Sequence, residues 1–218
     1  MASLITLIAI AIVAFVFLKR LGIIQTPAQR EHLIATYRFP PRLHKKVLDT
    51  YPHLSDDQAN KVIDGLREYF QLCNTAGRRS VAMPSQAVDV AWHEFILFTQ
   101  MYSYFCKKAL GRFLHHTPAE AMQTPTQAQA GIKTAWKVSC RREGISRNNP
   151  ERLPLLFAMD AELNIEDGFH YSLNCEQNGS GYCASHIGCG SGGCSGGCGS
   201  GSGNDGGSSC GSGCGGGD

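Results

Sequence analysis

The sequence predicts an all-α protein: a helical bundle preceded by a single transmembrane helix and followed by a disordered Gly/Cys-rich tail. Apolar residues from Thr26 to Ile165 recur with helical spacing, and no alternating run is long enough for a strand. An unbroken apolar run covers residues 2–18, and glycine, serine and cysteine dominate from Gly179 onward. The 218 residues therefore divide into an anchor (1–24), a helical domain (25–178) and a low-complexity tail (179–218).

The amino-terminal apolar run is just long enough to cross a bilayer core, because each helical residue rises about 1.5 Å. Lys19 and Arg20 follow the run, whereas a cleaved signal peptide, the alternative, carries its positive charge before it. Lys and Arg are retained on the cytoplasmic side of a membrane. We therefore expect a single-pass protein, of the bacterial inner membrane, with its amino terminus outside, Lys19 and Arg20 at the membrane boundary, and its body in the cytoplasm. The lipid bilayer is the expected partner of residues 2–18.

Basic residues are concentrated in the body of the chain. All 20 Lys and Arg, but only 11 of the 18 Asp and Glu, lie between Lys19 and Arg152. Such a surface can contact anionic lipid, bind nucleic acid or simply be solvated. The sequence has no basic and aromatic pattern typical of RNA recognition, so nucleic acid is not an expected partner. Binding of an unidentified protein partner is a further alternative.

Six helical segments are expected in the body. Ser55 is the predicted N-cap of the third, with Gln58 at the capping-box position. The fourth and longest is the predicted central helix, and Gly111 ends it because glycine accepts the left-handed conformation. The segments are Pro27 to Tyr37, Arg42 to Thr50, Ser55 to Asn74, Ser85 to Leu110, Thr126 to Arg142 and Leu153 to Ile165. The predicted core residues are Trp92, Ile96, Tyr102, Cys106 and Trp136.

Asp89 and His93 form the pattern that best suggests chemistry. They lie four residues apart on the central helix, so their side chains are neighbours on the flank of its apolar face. One hypothesis is a metal site in which His115 and His116, just past the helix end, supply further nitrogen atoms. Zinc or another divalent transition metal is the expected ion. The alternative is an Asp–His hydrogen bond that ties two helices together, and no HExxH motif decides between them.

Enzymatic activity is a weaker expectation than binding, and no catalytic residue is assigned. A metal-dependent hydrolase would use Asp89, His93, His115 and His116. A nucleophilic Cys106 is a further alternative, provided that the chain doubles back after Gly111 to bring a histidine near it. Cysteines on apolar helical faces more commonly serve as small core residues, and this is the expected role of Cys73, Cys106 and Cys140.

The tail has spacings compatible with thiolate and imidazole metal ligation. Clustered thiols in a reducing compartment commonly bind metal. A passive disordered tail, or assembly through cysteine cross-links, are the alternatives. The candidate tail ligands are Cys183, His186, Cys189, Cys194 and Cys198.

A combined motif between Asn60 and Tyr171 resembles bacterial glycine-rich domain-containing proteins and, more distantly, plant glycine-rich-domain-like proteins. The resemblance implies a helical domain of poorly defined biochemical role, often followed by Gly-rich sequence, and it supplies no catalytic residues. The residues that carry it are Val88, Asp89, Trp92, His93, Phe95, Ile96, Leu97, Thr99, Tyr102, Phe105, Cys106, Gly111, Arg112, His115, His116 and Pro118, then Leu153, Pro154, Leu155, Leu156, Phe157, Ala158, Asp160, Asp167 and Gly168.

The function expected from the sequence is thus a membrane-anchored binding or metal-handling module of undefined biochemical role. A metal-dependent hydrolase-like enzyme is one alternative. A structural or assembly protein that acts through its Cys-rich tail is the other.

Overall fold

The computed structural model describes residues 4–11, 13, 25–116, 125–173, 182, 183 and 187. These residues are mostly helical, which confirms the all-α class, and the short strands β1 and β2 pair in parallel. The helices are α1 (Pro27–Thr36), α2 (Pro41–Thr50), α3 (Asp56–Ala76), α4 (Gln86–Leu97), α5 (Thr99–Phe105), a π-helix (Cys106–Leu110), α6 (Pro125–Glu143) and α7 (Leu155–Glu162); the strands are β1 (Tyr171–Ser172) and β2 (Tyr182–Cys183).

Helices α1 and α3 begin at capping boxes. The Ser55 hydroxyl accepts the Gln58 amide at 3.3 Å, and the Gln58 side chain accepts the Ser55 amide at 2.9 Å, so the predicted capping box of α3 is confirmed. Thr26 and Gln29 form the same box at the start of α1. These reciprocal bonds satisfy amide groups that a helix start otherwise leaves without a partner.

The predicted continuous helix from Ser85 to Leu110 is wrong, because the chain breaks at Phe98. Phe98 has φ −79° and ψ 59°, and its amide donates to the Phe95 carbonyl at 3.1 Å. The break lets the rings of Phe95 and Phe105 pack with centroids 5.5 Å apart. Ten residues of straight helix would separate their Cα atoms by about 15 Å along the axis, so core packing outweighs helix continuity here.

The helix end at Gly111 is as predicted. Gly111 adopts φ 69° and ψ 10°, the left-handed conformation. A side chain there would also clash with Arg30, since an added Cβ would lie 2.4 Å from its Nη2 atom. The turn therefore needs glycine for its backbone conformation, and any other side chain there would also displace the Arg30 guanidinium.

The core contains a cluster of aromatic side chains from α3, α4 and α5, surrounded by smaller apolar residues from the other helices. Trp92, Tyr102, Cys106 and Trp136 are buried, whereas Ile96 is only partly buried, at the edge of this core. Ile96 is less covered than expected because α4 ends one residue later, and Leu97 is 71% exposed.

Asp160 ties α7 to the start of α4. Its buried carboxylate accepts hydrogen bonds from the Ser85 hydroxyl at 2.6 Å and from the backbone amides of Gln86 at 2.7 Å, Ala87 at 3.2 Å and Phe169 at 2.9 Å. A carboxylate at a helix start is also favoured by the helix dipole. These hydrogen bonds to Asp160 fix the first turn of α4, which carries Asp89.

The amino-terminal apolar run is only partly described. Residues 4–11 and 13 are helical. Across the described residues, which omit 12 and 14–24, no helix is both long enough and apolar enough to cross a membrane. The predicted boundary at Lys19 and Arg20 lies outside the described residues, so membrane attachment stays a prediction.

Candidate metal centre

Helix α4 places Asp89 and His93 side by side, one turn apart. The turn that carries Asp89 is held by the hydrogen bonds to Asp160 and by the Ser85 cap. The Ser85 hydroxyl accepts the Val88 amide at 3.3 Å. Asp89 Oδ2 lies 3.5 Å from His93 Nδ1. The side chain of Asp89 is 17% exposed and that of His93 is 52% exposed, so the pair lies at the rim of the bundle.

The segment after Gly111 returns to α4 and brings His116 to this pair. Tyr102 on α5 donates a hydrogen bond to the Leu114 carbonyl at 2.6 Å, and its hydroxyl accepts the Trp92 indole N–H at 3.1 Å. The Trp92 ring contacts the His116 ring edge on, with centroids 4.5 Å apart. The hydrogen bond to Leu114, two residues before His116, and the Trp92 contact therefore fix the position of this segment.

Asp89, His93 and His116 form a closed cluster. His116 Nε2 lies 3.0 Å from Asp89 Oδ1, and His116 Nδ1 lies 3.3 Å from His93 Nε2. One potential ligand atom from each residue can be chosen so that all three lie within 4.8 Å of one another. The His116 side chain is 13% exposed, so the cluster runs from the covered His116 to the solvent-facing His93.

Hydrogen bonding alone leaves this cluster incomplete when both imidazoles are neutral. If His116 Nε2–H donates to Asp89, then His116 Nδ1 accepts from His93 Nε2–H. His93 Nδ1 then presents a lone pair towards Asp89 Oδ2. A divalent cation held between the groups would replace this repulsion by attraction, because one carboxylate oxygen and two imidazole lone pairs suit zinc and similar ions.

His115 does not join the cluster. It is exposed, and its ring packs against Phe113 with centroids 4.7 Å apart. His116 contacts Asp89, Trp92 and His93 of α4, whereas His115 is not within reach of the cluster among the described residues. The structure therefore brings together Asp89, His93 and His116 and leaves His115 apart.

The burial of the thiols disfavours the cysteine alternative. Cys106 is buried, and burial raises the pKa of its thiol. Burial likewise raises the pKa of Cys73 to about 12 and that of Cys140 to about 11. Since the thiolate is the nucleophile, these three thiols are suited to packing rather than to attack on a substrate.

The side chains of the candidate tail ligands lie outside the described residues. Cys183 belongs to β2, whereas His186, Cys189, Cys194 and Cys198 lie wholly outside the described residues. Metal binding by the tail stays a prediction.

Two features of the site were missed at the sequence level. Trp92 and Tyr102 were expected only as core residues, yet their polar groups orient the segment that carries His116. Buried Trp and Tyr commonly hydrogen-bond through their polar atoms, which is the signal that could have suggested this role. The anchoring of α4 by Asp160 had no local signal, because its partner Ser85 is 75 residues away.

The comparisons with known proteins identify a family but no activity. A model of an uncharacterised family described as UCP032817-like matches residues 29–189. The match contains all three cluster residues and reaches Ile187, which packs against the core. The searches of curated proteins and of solved structures found no match.

The resemblance to glycine-rich domain-containing proteins is therefore wrong, since the family match gives no indication of such a domain. Much of the motif that carried it is buried aromatic packing, including Trp92, Phe95, Phe105 and Phe157. Unrelated helical bundles require similar packing, so this signal does not specify one family. The matched residues make up most of the chain, and the protein belongs to the UCP032817-like family.

Proposed function

We propose that this chain is a metal-binding module in which Asp89, His93 and His116 hold one divalent transition-metal ion. The observation that carries the proposal is the convergence of three potential ligand atoms, from α4 and the segment after Gly111, to within 4.8 Å of one another. Two imidazoles and one carboxylate form a ligand set typical of zinc and iron sites. Zinc is the ion with which we would test it first.

Solvent access supports metal binding over a purely structural Asp–His pair. His93 is half exposed, and a bridge whose main purpose was to tie helices together would gain little at such a position, where water competes for its hydrogen bonds. The structural task is already performed by Asp160, which is buried and bonded to four donors.

The test is the metal content of the full chain, purified without chelator and without a histidine tag. We expect about one ion per chain at this site, lost in His116→Ala and in Asp89→Asn. His115→Ala is the matched control, because it removes the neighbouring imidazole that lies outside the cluster. Equal metal content in the wild-type chain and the His116→Ala variant would refute the site.

Metal held by the tail must be counted separately. Co²⁺ is a useful probe, because thiolate ligation gives intense sulfur-to-metal charge-transfer bands and a site of nitrogen and oxygen ligands does not. A variant with serine at the tail cysteines should lose only those bands and keep the ion that depends on His116. The residues to replace are Cys183, Cys189, Cys194, Cys198, Cys210 and Cys214.

A metal-dependent hydrolase is the second candidate, favoured by the open side of the cluster. Three protein ligands leave a coordination position for water, and the exposed His93 lies on the solvent side. Zinc-dependent hydrolysis of simple activated esters by the full chain, lost in His116→Ala, would support it. Metal bound without turnover would favour the binding module.

Membrane attachment through residues 2–18 is part of the proposal, with the body on the cytoplasmic side. It is supported by the apolar run and by the position of Lys19 and Arg20 after it. Assembly through the cysteine-rich tail is the remaining alternative function, and it predicts an oligomer whose size changes when reductant is added.

A further inference from the structure

The amino terminus of α1 lies beside the carboxyl terminus of α3. Gln71 Nε2 donates to the Glu31 carbonyl at 2.8 Å, and Arg67 Nη1 donates to the Ile34 carbonyl at 2.9 Å. The earlier residue of α1 contacts the later residue of α3, and the later residue of α1 contacts the earlier one, so the two helices run antiparallel. The point at which the chain enters the body, just before Pro27, is therefore close to the end of α3 at Ala76.

The π-helix ends at the same place. Arg30 Nη1 on α1 donates to the Leu110 carbonyl at 3.3 Å. Arg112 Nε, just after the π-helix, donates to the Gly77 carbonyl at 3.1 Å. We call this part of the molecule the entry end, and its basic residues are Arg30, Arg78, Arg79, Lys107, Lys108 and Arg112.

Some of these basic side chains hydrogen-bond the backbone, whereas others are exposed to solvent. Arg79, like Arg112, bonds a carbonyl at the end of α3, where positive charge is favoured by the helix dipole. Arg78 and Lys107 are exposed, and within the described part of the chain neither has an acidic partner. Residues 95–116 contain no Asp or Glu at all.

Among the described residues, two acidic side chains on α1 and α3 that adjoin this end, Glu31 and Glu68, are already paired. Glu68 accepts two hydrogen bonds from Arg142, at 2.6 and 3.1 Å, and Glu31 lies 3.7 Å from the same guanidinium. These ion pairs raise the pKa of Arg142, chiefly through its hydrogen bond with Glu68. The net field of the entry end is consequently positive.

We propose that the entry end is a docking surface for anionic lipid headgroups. The argument is charge complementarity combined with position: the apolar run of residues 2–18, followed by Lys19 and Arg20, joins the body at this end. A bilayer that holds the run would face Arg78 and Lys107, and basic residues beside a membrane gain affinity for its anionic leaflet. The inference rests on the proposed attachment and is independent of the metal centre.

The experiment measures binding of the full chain to vesicles of phosphatidylcholine alone and of phosphatidylcholine with phosphatidylserine at low salt. The test variant is Arg78→Gln with Lys107→Gln. The matched control is Lys45→Gln with Lys46→Gln, which removes the same charge from exposed residues on α2. Their neighbour His44 contacts the Asp56 carbonyl, at the opposite end of α3, about 30 Å away by helical rise. Thermal melts verify that both variants fold as the wild type does.

We expect phosphatidylserine to strengthen binding, and the entry-end variant to lose roughly tenfold of that gain, while the control variant loses much less. Binding to phosphatidylcholine alone reports the attachment through residues 2–18, so failure of that proposal is visible separately. No gain on phosphatidylserine, or equal losses in the two variants, would overturn the docking surface. Release from the vesicles by duplex DNA, with the entry-end variant losing its DNA binding, would overturn it in favour of nucleic acid.

Discussion

Asp89 belongs to the first turn of α4 and Asp160 of α7 contacts the same turn, yet the surroundings of the two carboxylates differ sharply. Asp160 is 1% exposed and accepts four hydrogen bonds, from the Ser85 hydroxyl and three backbone amides. Asp89 is 17% exposed and faces two imidazole rings, at 3.0 and 3.5 Å. The Asp160 carboxylate has no capacity left for a ligand, whereas Asp89 and its partners hold lone pairs that can turn towards an ion.

The comparison teaches that saturation and burial separate a structural carboxylate from a candidate ligand. A buried carboxylate must satisfy its oxygen atoms internally, because an unpaired charge there is very costly. A rim carboxylate is partly solvated and can exchange partners without unfolding the helix. Removal of Asp160 should therefore change stability, and removal of Asp89 should change metal binding.

The largest effect should come from Asp160→Ala. This change removes the acceptor of the buried Ser85 hydroxyl and Ala87 amide and of the partly buried amides of Gln86 and Phe169. We expect a loss of about 3–5 kcal/mol in the free energy of unfolding, measured by chemical denaturation.

Asp49→Ala is the control for this loss. Asp49 is exposed, so its removal should change stability by less than about 0.5 kcal/mol. If Asp160→Ala lowered the free energy of unfolding no more than this control, the hydrogen bonds between α7 and α4 would not stabilise the fold.

Metal should stabilise the wild-type chain and not Asp89→Asn. Zinc at a free concentration one hundred times its dissociation constant would add about 2.7 kcal/mol to the free energy of unfolding. Asn keeps the size of Asp but lacks the charge that favours the ion, so most of this gain should vanish. The measurement is a thermal melt with zinc and with chelator. It is made on the wild-type sequence and on Asp89→Asn, both with the tail cysteines replaced by serine. An equal zinc-induced gain in both would show that the ion binds elsewhere.

Local features of the fold followed from the sequence, and distant ones did not. The caps at Ser55 and Gly111 depend on neighbouring residues, so short patterns predicted them. The pairing of Asp89 with His93 followed from helical geometry in the same way. The break at Phe98 has neither glycine nor proline to announce it, because it is set by packing between Phe95 and Phe105.

The candidate site was predicted in part for the same reason. The sequence indicated that the chain could return after Gly111, but not which imidazole would face α4. That choice depends on the hydrogen bond between Tyr102 and the Leu114 carbonyl. The contact between Ser85 and Asp160 spans 75 residues, and no periodic pattern reports such a distance.

Tyr102→Phe should weaken metal binding at a moderate cost in stability. The change removes the hydroxyl that holds the Leu114 carbonyl and accepts the Trp92 indole N–H, so the segment carrying His116 becomes less well oriented. Loss of such an outer contact typically lowers metal affinity at least tenfold. We expect about a tenfold weaker zinc affinity in a competition titration, with about 1 kcal/mol lost in stability.

Tyr69→Phe is the matched control for this variant. It removes another buried tyrosine hydroxyl, which donates to the Val81 carbonyl at 3.0 Å and makes no contact with the cluster among the described residues. Stability should fall by a similar amount, while zinc affinity stays that of the wild type. Equal losses of affinity in the two variants would mean that general loosening, and not the position of His116, controls the site.

The smallest effect should come from His115→Ala. The ring of His115 is exposed and packs only against Phe113 among the described residues, so its loss should change stability by less than about 0.5 kcal/mol. Metal content and zinc affinity should equal those of the wild type, in contrast to His116→Ala. Because the two histidines share their local sequence and differ in the side of the chain they occupy, this pair tests the fold of the segment directly. A loss of zinc affinity in His115→Ala as large as that in His116→Ala would mean that the segment after Gly111 presents both imidazoles to α4.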